Sequence, residues 1–254
     1  MSCSVFPSSR LLRRSSHAGF TLIELLTVVA IIGILSAIII PTATGARVAA
    51  NRAKTRSQFS QWGAAFEAFR QEYGAYPQIG TTTGTTKLVN NGASTAITGN
   101  HVFHDTLAGV RRDGSQLTGA TTGNPPPAIA QNPRRIRFVS FTDADFVLQA
   151  DVTAGRAATN QLNLIRDAFF NTSIAVITDS NLDGVINGRD STGGYPGVVV
   201  AGGTTTIRPT GTGTNTTNTG LTTATTGGIH AGVIFYCAPP GASNPDTDLI
   251  MSWK

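Results

Sequence analysis

Apolar and polar positions divide the chain into one long apolar run, one helical stripe and several short apolar strands. Phe20 to Ile40 (FTLIELLTVVAIIGILSAIII) is a run of 21 residues with a single ionisable group, Glu24. At about 1.5 Å per residue a helix of this length matches a hydrocarbon core of about 30 Å. A carboxylate inside such a core costs at least about 2.5–3.5 kcal/mol, which makes Glu24 a candidate functional residue. A secretory signal carries a shorter apolar region that ends in a small-residue cleavage site. Here the run is longer, and Gly19 precedes it.

Beyond the run, Phe59, Trp62, Phe66, Phe69 and Tyr73 recur at steps of three and four, which predicts one apolar face of a helix. The spacing predicts a helix over 20–73, softened between Pro41 and Gly45 and ended by Gly74. Residues 80–100 and 101–135 read as irregular because of their Thr, Gly, Asn and Pro content. Alternation predicts a strand over 136–141 paired with 146–152, and a short helix or strand over 162–170. Further strands are predicted over 173–178, 195–201, 229–237 and 249–253. The Thr/Gly tract over 202–228 reads as an exposed loop. The fold class is α+β, with a long amino-terminal helix on a small antiparallel sheet with long loops.

The residues around the apolar run carry a resemblance. Gly19-Phe20-Thr21-Leu22-Ile23-Glu24 resembles the cleavage and methylation signature of type IV prepilins and of the pseudopilins of type II secretion. The resemblance implies cleavage after Gly19 and N-methylation of Phe20 by a prepilin peptidase/methyltransferase. Glu24 falls at the fifth mature position and Pro41 at the twenty-second, both as in the family. Glu72-Tyr73-Gly74-Ala75-Tyr76-Pro77 is similar to the end of the long helix in major pseudopilins. The implied fold is a pilin-like roll. Its parts are a leader (1–19), a transmembrane and assembly helix (20–41), the amphipathic second half of that helix (42–73) and an extracytoplasmic β-rich head (74–254).

The function implied is structural: a subunit of a type II secretion-like apparatus for protein export, not an enzyme, polymerising through its amino-terminal helix. Implied partners are further copies, minor pseudopilins and an inner-membrane assembly platform. The implied location is the bacterial inner membrane, single-pass, with the head outside the cytoplasm. In the family the acid at the position of Glu24 pairs with the amino-terminal amine of a neighbouring subunit. A true type IV pilin and a membrane-anchored calcium-binding adhesion module are the alternative readings.

Charge and cysteine content sharpen this picture. The leader holds Arg10, Arg13 and Arg14 and no acid, so its removal takes the formal charge from +5 to +2. Nucleic acid is therefore not indicated as a partner. Cys3 lies in the leader, so Cys237 stands alone in the processed chain and forms no intrachain disulfide.

Two segments are calcium candidates. Asp179, Asn181, Asp183, Asn187 and Asp190 place oxygen side chains at positions 1, 3, 5, 9 and 12 of a twelve-residue loop. Gly184 stands at position 6, and Val185 offers its carbonyl. Position 12 is Asp, as in dockerin loops. The tail, with Asp246, Asp248 and Trp253, resembles the acidic end of major pseudopilins, where the family binds calcium. His101 and His104 lack further ligands at zinc spacing. Recognisable nucleophile triads, phosphate loops and redox cysteine pairs are absent from the sequence.

Overall fold

A computed structural model describes residues 19–80, 87–119, 122–187, 190, 195–209, 228–245 and 247–253, with the side chains of 39–43 left aside. The leader through residue 18 and most of the Thr/Gly tract lie outside the described residues. The chain forms two units, one through Val48 and one from Ala49 to Lys254.

Helix α1 runs from Leu22 to Tyr73 and is continuous at Pro41 and Gly45. Gly74 follows it with φ 77°, a left-handed conformation that favours glycine, and its N–H donates to the Arg70 carbonyl at 2.8 Å. In the first unit the large apolar side chains, from Leu22 through Leu35 and Ile38, are exposed. Among the described residues, no helix is long and apolar enough to cross a membrane, and the described side chains of the apolar run end at Ile38.

In the second unit a three-stranded antiparallel sheet is ordered β1 (Ile174–Thr178), β4 (Val233–Cys237), β5 (Ile250–Met251). Side chains alternate between its faces. Ile174, Val176, Phe235, Cys237 and Ile250 face α1 and join Phe59, Trp62 and Phe66. Ala175, Ile177, Ile234, Tyr236 and Met251 face the other way, against Tyr195, Val198 and Leu249. Burial on both faces explains why these strands are continuous apolar runs in sequence. A two-stranded ribbon, β2 (Val198–Val199) with β3 (Thr206–Ile207), lies beyond.

The predicted strands at 173–178, 195–201, 229–237 and 249–253 thus each contain an observed strand, shorter than expected for the last three. Others are corrected. Residues 136–141 form no strand: the N–H groups of Phe138 and Val139 donate to the Leu107 carbonyl, and that of Ile136 to the Asn132 side chain. Residues 146–152 therefore have no partner there. Phe146 instead makes a single bridge to Ile165, and Gln149–Thr153 is a short helix, α4. Residues 162–170 form neither helix nor strand; Asp167 pulls the chain into a turn by accepting from the N–H groups of Phe169 and Asn171 at 2.7 and 2.8 Å.

Residues 101–135 are not wholly irregular either. They hold α2 (Val102–Ala108) and α3 (Ala128–Gln131). Phe103 and Leu107 of α2 are fully buried in the aromatic core beside Trp62 and Phe66. Gly109 ends α2 at φ 71°, and a Cβ there would lie 2.5 Å from the Arg135 carbonyl oxygen. Buried Asn132 ties this region to α1. It accepts from the Tyr73 hydroxyl at 2.7 Å and donates to the carbonyls of Thr106 and Ile136.

Candidate functional site

The start of α1 is built by its own side chains. Thr21 Oγ1 accepts the Glu24 N–H at 3.3 Å, and Glu24 Oε2 accepts the Thr21 N–H at 2.9 Å. The Thr21 hydroxyl donates to the same Oε2 at 2.7 Å. This is a reciprocal capping box, in which Thr21 is the cap and Glu24 the third helical residue. The first helical bond, Leu25 N–H to the Thr21 carbonyl, completes it. Gly19 and Phe20 precede the helix and are exposed. Glu24 therefore stands at the positive end of the helix dipole, where a carboxylate is favoured. Thr21 was missed as a site residue in the sequence. The Thr-x-x-Glu spacing ahead of an apolar run is the signal that finds it.

Residues 14–40 match the prokaryotic N-terminal methylation motif. Residues 14–40 are a prepilin-type segment. The chain is also similar to type II secretion system core protein G of Klebsiella michiganensis, at 33% identity over 66 residues. That stretch covers 26% of this chain and 46% of the relative, so less than half of the relative is matched. No solved structure matches the chain. Glu24 and its cap lie inside the prepilin-type segment, and the polar part of that segment before residue 19 lies outside the described residues.

The 179–190 loop follows β1 directly. Asp179 and Asp190 are both 2% exposed. Asp179 accepts from the N–H groups of Asp183 and Gly184 at 3.2 and 2.7 Å. Asp190 accepts from the Ser180 and Asn187 N–H groups at 2.7 and 2.9 Å, drawing the two ends of the loop together. Asn181 and Asp183 are exposed at the tip, where the Asn181 amide donates to Asp183 at 2.8 Å. Val185 is half-buried, and its N–H donates to Asp183. Lys87 Nζ donates to the main-chain carbonyl of Asp190, and burial pushes its pKa down. Lys87 also acts on the Asp190 carboxylate through its charge, and Arg70 acts more weakly on Asp179. Among the described residues, no three His, Cys, Asp or Glu side chains converge on one metal position. In sequence the oxygen-bearing residues follow the order of a calcium loop, with the Asn181 amide and the Val185 carbonyl among them.

The tail differs. Asp246 lies outside the described residues. Asp248 accepts from the Ser243 and Asn244 N–H groups at 2.9 and 2.8 Å, closing the turn before β5. These bonds, with Asn244 foremost, hold its carboxyl below the usual range. Trp253 packs edge-on against Tyr236.

Two other sequence features acquire structural roles. Cys237 is fully buried and its thiol donates to Asp167 at 3.2 Å; burial pushes its pKa well up, so it is held as a thiol. Asn171 opens an Asn-Thr-Ser sequon, yet it is 6% exposed and its amide donates to the Val199 and Ala238 carbonyls. Its side chain is spent on joining two segments.

Proposed function

We propose that this chain is a pseudopilin subunit that polymerises through its amino-terminal helix in a type II secretion-like export apparatus. The observation that carries the reading is the prepilin-type segment with Glu24 fixed at the helix start. The similarity to a type II secretion core protein favours secretion over a surface pilus. In this reading a peptidase cuts after Gly19 and methylates Phe20. Residues 20–40 lie in the inner membrane before assembly, with the bulk of the chain outside the cytoplasm. The apolar run and the exposure of its described side chains support that placement.

Glu24 then has two tasks on two oxygens. Oε2 caps the helix, and Oε1 is assigned to the amino-terminal amine of a neighbouring copy, with an assembly platform and minor pseudopilins as further partners. Removing one member of such a pair would leave the other charge without its partner and weaken subunit association. Glu24→Gln keeps a capping acceptor and loses the charge. It is expected to insert in the membrane normally and to fail in filament assembly, scored by sedimentation and microscopy. Filaments of normal yield from Glu24→Gln would refute the pairing.

We also propose that the 179–190 loop binds calcium through Asp179, Asn181, Asp183, Val185, Asn187 and Asp190. Two nearly fully buried carboxylates, partly offset by the Lys87 charge at Asp190 and by the weaker pull of Arg70 on Asp179, support it, because a buried charge is costly unless compensated. Bound calcium would supply that compensation and fix the loop beyond β1.

A further inference from the structure

We propose that His101 is a proton-sensitive latch that fastens the inserted segment around α2 to the turn before β1 in its neutral form and releases it when protonated. The segment concerned, residues 87–112, lies within 80–130, which together with 202–228 makes up the long insertions in the head that the prepilin-type resemblance does not account for.

The ring of His101 is fully buried and both of its nitrogens are committed. Nδ1 accepts the His104 N–H at 3.3 Å, which caps α2, so this nitrogen carries no proton. Nε2 must then carry the hydrogen, and it lies 2.9 Å from Asn90 Oδ1. Asn90 relays the contact. Its Oδ1 also accepts the Ile165 N–H at 2.9 Å, and its amide donates to the carbonyls of Ile165 and Thr172 at 2.7 and 2.6 Å. One neutral imidazole thus joins the cap of α2 to the chain leading into β1.

A second proton has only Nδ1 to occupy. It would turn the acceptor of the helix cap into a donor facing another N–H, at the positive end of α2. The charged groups around the ring decide the balance. Arg112 donates to the carbonyls of Ser94, Ala96 and Gly99 and sets a fixed positive charge near the ring, with Asp113 beside it. From α2, Asp105 accepts the His101 N–H at 3.0 Å and contacts His104 Nδ1 at 2.9 Å, so its negative charge is shared with a second imidazole. Burial, Arg112 and His104 together hold the His101 pKa well below its ordinary value. The ring binds its proton less readily folded than unfolded. Its contribution to stability is therefore complete above about pH 6.5, the unfolded value, and is lost as pH falls below it. Between the unfolded and folded values the opening equilibrium rises about tenfold per pH unit.

The test is thermal unfolding of the full chain in detergent at about pH 7.5 and about pH 5.5, for the native sequence and His101→Asn. Asparagine keeps a capping acceptor and does not titrate. The native chain is expected to lose more of its midpoint temperature on acidification than the variant, since every other side chain is the same in both. Equal losses would overturn the latch. A second reading, on the native chain alone, is the NMR titration of the His101 ring. It should stay neutral through about pH 6.5 and gain its proton only as amide protection at Ile165 and His104 falls. Protonation near pH 6.5 with those amides unchanged would also overturn it.

Discussion

Phe235→Ala is expected to destabilise the second unit by about 3–5 kcal/mol, the usual cost of deleting a buried phenylalanine ring. Phe235 is fully buried on β4, on the face turned to α1. Its ring lies 5.7 Å from Phe59, 5.6 Å from Trp62 and 5.5 Å from Phe66 along α1, and 6.3 Å from Phe103 of α2. One side chain therefore meets the long helix at three positions and the inserted helix at a fourth. Ring pairs of this kind add about 0.5–1.5 kcal/mol beyond area burial. The stability of such a unit totals about 5–15 kcal/mol, so the loss is a large share of it. Urea unfolding followed by tryptophan fluorescence measures the change, because Trp62 and Trp253 both lie in this unit. A loss below about 1 kcal/mol would mean that the helix and sheet are not held by this cluster.

The second large effect concerns calcium. At a free concentration about a hundredfold above the dissociation constant, calcium is expected to stabilise the chain by about 2.7 kcal/mol. Asp179→Asn keeps the size of the side chain and one acceptor oxygen where the carboxylate offers separate oxygens to the Asp183 and Gly184 N–H groups, and it removes a charge from the loop. It should lower calcium affinity strongly while leaving the fold in chelator near normal. Melting curves with calcium, with magnesium and with chelator separate the cases. Identical curves for the native chain in calcium and in chelator would remove the proposed site. A calcium shift unchanged by Asp179→Asn would move it elsewhere, the tail at Asp248 being the next place to look.

Legibility in the sequence followed the range of the forces. The helical stripe from Phe59 to Tyr73 was readable because its period is local, and the structure buries that stripe. The strands around 174–178 and 233–237 were readable because both faces are apolar. Residues 136–141 alternate like a strand, but the Phe138 and Val139 donors are claimed by the Leu107 carbonyl, far back along the chain, and Asn132 closes a local turn onto Ile136; no sequence pattern announces the first of these. Helix α2 was missed for the opposite reason. It has seven residues, too few to show a period, and its cap is a histidine where Ser, Thr, Asp or Asn is the usual signal. At the candidate site, Glu24 was legible from its cost in an apolar run. Thr21, which positions it, was overlooked although the capping spacing was present. The loop at 179–190 was legible as an ordered set of oxygens. The burial of Asp179 and Asp190 against their own loop backbone appeared only in three dimensions.

The proposed function requires that the prepilin-type segment be processed as its residues dictate. Intact mass and amino-terminal sequencing of the protein recovered from its native membranes answer that directly. The expected product begins at Phe20 and carries one N-methyl group. A product that still begins at Met1, or one cut elsewhere in the apolar run, would contradict it.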